Sequence, residues 1–363
     1  MKYSNIYTLY PRNKALERAL AISLAQLGDE WVEAASPNTK VAVVDNFLFT
    51  RGNFEQHRFN SNILERVREV LEGSLTDQYR DQQPLAWAET QNHLGNILAA
   101  LGQQRRDAEL YEKAILCFSN ALEELTQNNS PAEWAATQYD LGTANQALGR
   151  LLDNTTPLNI AVDAYTNALL IWTREGSPQD WMITMHQLGA TFHTYGKLLN
   201  GNRQFQKSVV AYKNALAVLD ADDYALELTA THNNRAAVLH HLGESEENPE
   251  RLKEAIKSYE KALTVSMEQQ LPIHVAVICR VNKATAQNVL AQLTNDALLA
   301  EEIADEFEVI MECFPHALQP LCLMHCKEQL KIAQSQLAVH SSQVIESGPG
   351  SDPLGKFVLH FDE

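Results

Sequence analysis

The sequence predicts an all-α fold, a superhelical solenoid of antiparallel helix pairs between an N-terminal cap region and a C-terminal tail. Three observations predict it. The middle of the chain repeats itself at a step of 47 residues, seen in Pro84, Pro131 and Pro178 and again in Phe118, Tyr165, Tyr212 and Tyr259. Each copy carries two stretches with apolar residues at helical spacing, separated by turn residues. Breakers are scarce, with 15 Gly and 12 Pro in 363 residues, while hydrophobic residues make up 45%.

Each copy opens with Pro-x-x-Trp, at Pro84/Trp87, Pro131/Trp134 and Pro178/Trp181. Ser130-Pro131-Ala132-Glu133 reads as a capping box with Ser at the N-cap and Pro at the first helical position, and Ser177-Pro178-Gln179-Asp180 repeats it with Asp as the weaker partner. The first helix then carries Leu94-Gly95, Leu141-Gly142 and Leu188-Gly189, with a second glycine at Gly102, Gly149, Gly196 and Gly243. Asp153 to Pro157 reads as the break between helices in the second copy. The second helix places Ile160, Ala161, Ala164, Tyr165, Ala168 and Leu169 on one stripe. Small residues at Gly95, Gly142, Ala114 and Ala161 let two helices approach, and the aromatics Phe118, Tyr165, Tyr212 and Tyr259 fill the remaining space as core. The fourth copy departs, with Leu228 in place of Trp and Arg235-Ala236 in place of Leu-Gly.

This order of Leu-Gly, Gly, Ala, aromatic, Ala-Leu and Pro resembles the tetratricopeptide repeat, in a form lengthened from the usual 34 residues. The resemblance is strongest over residues 82 to 265 and implies a right-handed α-α superhelix whose first helices line a concave groove. It also implies that the groove-facing positions include Asn92, Asn96, Tyr139, Gln146, His186, His193, Asn233, His240 and His241. These are polar and neutral, without the Lys and Arg that relatives gripping a C-terminal carboxylate place there.

The parts outside the clear repeats follow. Residues 1 to 80 lack the 47-residue signature and read as a mostly helical cap, with helices over Lys14 to Ala34 and Ile63 to Leu71 and an apolar segment across Val41 to Phe49. The solenoid spans 81 to 338, with a degenerate fifth pair over Pro272 to Leu293 and Ala297 to Phe314 and a closing helix over Ala317 to Leu337. Residues 339 to 363 form a Gly/Ser/Pro-rich tail ending in the apolar strip Phe357-Val358-Leu359-His360-Phe361, followed by Asp362-Glu363.

Composition narrows the function. A net charge of −17 argues against nucleic acid and anionic membranes as partners, because both need a basic patch. No segment approaches membrane-spanning length, and five cysteines do not suggest a disulfide scaffold, so a cytoplasmic protein without membrane insertion is expected. The chain contains no Gly-rich phosphate loop, G-x-S-x-G or H-E-x-x-H. Cys313, His316, Cys322, His325 and Cys326 have zinc-like spacing, but Cys322 and Cys326 lie one helical turn apart beside Leu323 and Leu330, which favours small core residues. No metal and no cofactor are therefore expected.

The expectation is a non-catalytic scaffold or adaptor that takes a protein or peptide partner in the groove. The alternatives are a ligand- or peptide-responsive regulatory sensor, and an enzyme with its site in the N-terminal region or the Cys/His cluster. Four imidazoles, His186, His193, His240 and His241, would make groove binding pH-dependent between about pH 7 and 5.5. The strip Phe357 to Glu363 is a rival occupant of the groove on its own linker. The sequence does not fix the oligomeric state.

Overall fold

The computed structural model describes residues 58–314 and 320–346. The helix expected over Lys14 to Ala34, the segment Val41 to Phe49, His316 and the strip Phe357 to Glu363 lie outside the described residues. Among the described residues there are thirteen α-helices and no strand. Two short leading helices, α1 (Arg58–Ser74) and α2 (Asp77–Gln82), precede five helix pairs and a closing helix. The pairs are α3 (Pro84–Arg105) with α4 (Ala108–Glu124), α5 (Pro131–Leu151) with α6 (Thr155–Ala168), and α7 (Pro178–Leu199) with α8 (Asn202–Leu216). Then come α9 (Ala221–Ser245) with α10 (Pro249–Glu268), α11 (Ile273–Thr294) with α12 (Ala297–Cys313), and finally α13 (Pro320–Glu346). Each helix packs on the next in sequence from α3 to α13, and the first helices also touch in the series α3, α5, α7, α9, α11, α13. The result is an all-α superhelix with an inner layer of first helices and an outer layer of second helices.

The 47-residue period is carried by the backbone as well as by the side chains. Each first helix of pairs one to four is followed by a residue in the left-handed region, Arg106 (φ 54), Asp153 (φ 50), Asn200 (φ 50) and Glu247 (φ 48), all one period apart. None of the four is glycine. One residue later stands the N-cap of the second helix, and in three pairs Asp107, Asn154 or Asn248 fills it by accepting from a first-turn N–H. The break in the second copy is therefore narrower than expected, with Thr155 to Pro157 already inside α6.

The first helices begin differently from the capping box that the sequence suggested. Gln83, Ser130 and Ser177 sit at the N-cap with φ between −140 and −147 and ψ 64–67, but none makes a side-chain cap bond. The backbone supplies the closure instead, as Trp87, Trp134 and Trp181 donate their N–H to the carbonyls of Gln83, Ser130 and Ser177 at 2.8–2.9 Å. Tyr224, one period after Ser177, keeps nearly the same backbone (φ −136, ψ 42) although it lies inside α9. Loss of the Pro-x-x-Trp signal in copy four thus leaves the corner in place and adds a helical turn, capped by Asp220, in front of it.

The core follows the small-against-large pattern. A Cβ added at Gly95 would stand 2.5 Å from the ring of Phe118, and at Gly142 or Gly189 it would stand 2.8 Å from Tyr165 or Tyr212. Those rings are buried at 0–1% exposure, as is Tyr259 opposite Ala236. The ends of α1 and α3 join the same packing, with Leu64, Val67 and Leu71 in one cluster with Ile97, Leu101 and Phe118. Substituting Tyr165 by Ala removes a fully buried ring and is expected to cost at least about 3 kcal/mol in chemical denaturation. Gly142→Ala, which forces the same ring away, should cost about 1–3 kcal/mol. A loss below about 1 kcal/mol for Tyr165→Ala would contradict this packing.

Candidate functional site

The residues expected to line the groove come from α3, α5, α7 and α9, and the structure turns most of them inward. Asn96, Gln146, His186, His193, Asn233, His240 and His241 are all buried at 7% exposure or less, and Asn92 and Tyr139 are half-buried. They lie between neighbouring first helices, not on an open surface. The expectation that they line a groove open to a partner is corrected on this point, and for Asn92, Asn96, Tyr139, Gln146, His186 and Asn233 the reason is hydrogen bonding across the repeat joints.

One position of the first three repeats reaches into the next copy, at two shared offsets for Asn92 and His186. Asn92 donates to Thr137 Oγ1 (3.1 Å) and Asp140 Oδ2 (3.0 Å), 45 and 48 residues on. His186 meets Thr231 Oγ1 at 2.8 Å and Asn234 Nδ2 at 3.4 Å, again 45 and 48 residues on. Between them, Tyr139 accepts at its hydroxyl from Gln187 Nε2, also 48 residues on, at 3.5 Å. Asn96 adds a bond to Asp140 Oδ2 (2.8 Å), and Gln146 donates to the Gln187 carbonyl (3.3 Å) while accepting from Tyr165 OH (3.2 Å).

In the third and fourth pairs the bonds form a directed chain. Asn282 Nδ2 donates to Asn233 Oδ1 (2.8 Å), Asn233 Nδ2 donates to Asn234 Oδ1 (3.1 Å), and Asn234 Nδ2 points at His186 Nε2. Thr231 spends its only proton on the Glu227 carbonyl at 2.6 Å. Its oxygen can therefore only accept from His186, which places the imidazole proton on Nδ1 and leaves Nε2 to accept from Asn234. His325 on α13 is assigned the same way. Thr285 donates to the Val281 carbonyl, so His325 Nε2 donates to Thr285 Oγ1 at 2.9 Å. A second proton on His186 would set an N–H against the Asn234 amide.

Electrostatics agree with neutral rings. Burial holds His186 at about 3 and His241 at about 4, the latter against a bond to Glu244 that favours its charge. Burial also holds His193 well below the ordinary range, helped by the nearby His241, Lys197 and Arg150. The rings of His193 and His241 lie 5.1 Å apart between α7 and α9, with Phe205 stacked on His241 at 5.8 Å. The expected charging of groove imidazoles between about pH 7 and 5.5 is thus corrected for these three: water that would solvate the cation is excluded.

The cysteine-rich end is packed as core. Cys322 and Cys326 are buried with Val277, Val281, Phe307 and Ile310, whereas Cys313 is exposed. Among the described residues no group of three or more His, Cys, Asp or Glu is arranged to hold a metal ion. Burial raises the thiols of Cys117 and Cys279 to about 12.

Open space occurs instead where the inner layer ends. A cleft of about 470 Å³ lies between α11 and α13, lined by Gln292, Asn295, Glu328, Lys331, Ile332, Ser335, Gln336 and Val339. A second of about 260 Å³ shares Gln292 and Ile332 with it and continues toward α9 along Glu244, Glu247, Val289, Leu293 and Gln329. Val339 is 57% and Leu293 39% exposed. Among the described residues, the buried Gln336 side-chain oxygen has no hydrogen-bond partner. Sequence reasoning missed this cleft because α11 to α13 lie beyond the clear period. The available signal was apolar Leu293 and Val339 at helix ends where a solvated face carries polar residues.

No family model matches this chain, and no curated protein matches it. Among solved structures it is similar to the crystal structure of BtubC (BKLC) from P. vanneervenii, at 17% identity and a TM-score of 0.41, covering 83% of this chain and 98% of that chain. Among the described residues no helix is long and apolar enough to cross a membrane.

Two outcomes follow from the buried chain of bonds. His186→Ala should cost about 3 kcal/mol, since it opens a cavity and leaves Asn234 and Thr231 with one partner fewer, while His186→Asn, the residue type at the equivalent positions 92 and 233, should cost about 1 kcal/mol. The folded pKa values of His186, His232 and His241 lie below the ordinary 6.5, so the unfolded chain binds protons that the folded one refuses. Their contribution is complete above about pH 6.5 and is lost as pH falls from there toward about 4, at about 1.4 kcal/mol per pH unit for each ring. Denaturation midpoints at pH 7.5, 6 and 5 should fall steeply over the last step, and a flat profile would contradict neutral burial.

Proposed function

We propose that this chain is a non-catalytic scaffold or adaptor that takes a protein or peptide partner, and that the partner docks in the cleft between α11 and α13. The fold reading behind it is a long variant of the tetratricopeptide repeat with a right-handed superhelix, supported by the 47-residue period and by the Gly-against-aromatic contacts at Gly95, Gly142 and Gly189. The observation that carries the proposal is a division of labour within the inner layer. In pairs one to four most of the polar side chains at the expected groove positions are buried between helices, whereas the end of the layer offers a cleft of about 470 Å³ with exposed Val339 and continues to exposed Leu293. Apolar side chains beside Lys331, Glu328 and an acceptor at Gln336 suit an extended or helical peptide with apolar anchors and polar flanks. No nucleic acid or membrane is involved in this reading, and it is placed in the cytoplasm.

The test is site-specific photocrosslinking in native cell extract. A photoreactive residue at Ser335, inside the cleft, should capture a discrete protein partner, and one at Leu116, exposed on α4, should not. Capture that is equal at both positions, or that is unchanged by Val339→Asp, would move the interface elsewhere.

A further inference from the structure

The occupant of the cleft when no partner is present is written in the chain itself. The cleft lies along the last turns of the described structure, where Ile332, Ser335, Gln336 and Val339 belong to α13, which runs to Glu346. We propose that the segment Phe357–Phe361 of the same chain docks in the cleft between α11 and α13 and competes there with the partner. This rests on the reading of the cleft as a docking surface and adds its regulation.

Reach, shape and charge support it. Val339 stands about 10 Å and Ile332 about 21 Å back along α13 from Glu346, at 1.5 Å per residue. The connecting residues Ser347 to Lys356 include three glycines and two prolines. A flexible connection of that length has a root-mean-square extension of about 18 Å, which matches the return distance to the cleft. Tethering at a matched distance gives an effective concentration in the millimolar range, so even a weak segment occupies its site most of the time.

The segment Phe357-Val358-Leu359-His360-Phe361 offers apolar side chains at alternate positions, as an extended strip does. They complement Ile332, Val339 and, in the adjoining cleft, Val289 and Leu293. An extended strip also presents backbone N–H groups, the donors that the Gln336 side-chain oxygen lacks. Asp362 and Glu363, next to the strip, can pair with exposed Lys331 on a wall that also carries Glu328, so charge bears on the register of the strip and its apolar side chains on the affinity. The groove positions expected to receive the strip are mostly buried between helices, so its place moves to the cleft at the end of the inner layer.

Two measurements on the full chain test this. Hydrogen–deuterium exchange read by mass spectrometry should show residues 357–361 exchanging at least tenfold more slowly in the wild type than in a Val339→Asp chain. Val339 is exposed, so exchange across α3 to α8 should stay unchanged as the control on folding. A fluorescently labelled synthetic peptide of residues 352–363 should bind a chain carrying Phe357→Ser, Leu359→Ser and Phe361→Ser at least tenfold more tightly than it binds the wild type, whose own segment competes. Equal exchange of residues 357–361 in both chains, or equal peptide binding to both, overturns the proposal. Partner capture at Ser335 that is the same with and without the three serine substitutions leaves the docking surface standing and removes the tail from it. Peptide binding to the substituted chain without any captured partner supports the tail and removes the partner.

Discussion

Neighbouring repeats bury polar side chains between their first helices, and pairing them across the joint is the constraint around which much of the architecture is arranged. The position occupied by Asn92, Tyr139 and His186 meets it by reaching into the following copy, at offsets of 45 and 48 residues for Asn92 and His186. A helical solenoid is held together only by contacts between neighbours, so the joint sets both the register and the angle of the stack. Apolar side chains would tolerate a slip of one helix along another. A directional chain such as Asn282, Asn233, Asn234, His186 and Thr231 resists it, because a slip would break several aligned hydrogen bonds at once.

The same constraint accounts for the neutral histidines. Imidazole is used here as a rigid two-sided connector, with a proton on one nitrogen and a lone pair on the other, which only the uncharged form provides. Burial enforces that form in His186, whose pKa falls to about 3, and in His241, held at about 4. His186 therefore fastens α7 to α9, and acid acts on the molecule through its stability.

The outer contacts within a pair solve a different problem. Close approach of two helices is set by Gly95, Gly142 and Gly189 under an aromatic ring, and the chain reversal is set by a left-handed residue one period apart in each copy. Four non-glycine residues, Arg106, Asp153, Asn200 and Glu247, hold that backbone; Asp and Asn tolerate it locally, whereas at Arg106 and Glu247 the reversal is imposed by the packing of the two helices it joins. The kink at Tyr224 shows the same dominance, since the corner survives in copy four without the Pro that marks it elsewhere.

The sequence by itself determined the helix pairs, their 47-residue period, the aromatic core at Phe118, Tyr165, Tyr212 and Tyr259, and the closing helices near Ile273, Ala297 and Pro320, because periodicity and steric size are local and readable. It also singled out Asn92, His186 and Asn233 as polar residues at a repeating position. Tertiary structure alone decided which way they face. A polar side chain on the inner helix reads identically whether water or a neighbouring repeat satisfies it, and the choice depends on how closely the first helices approach. That distance comes from residues 45 to 48 positions away, such as Thr231 and Asn234 beside His186, and no window of sequence around His186 contains it. The cleft by α13 was hidden for the same reason, since it forms between α11 and α13, helices brought together by the stacking of the last described pair.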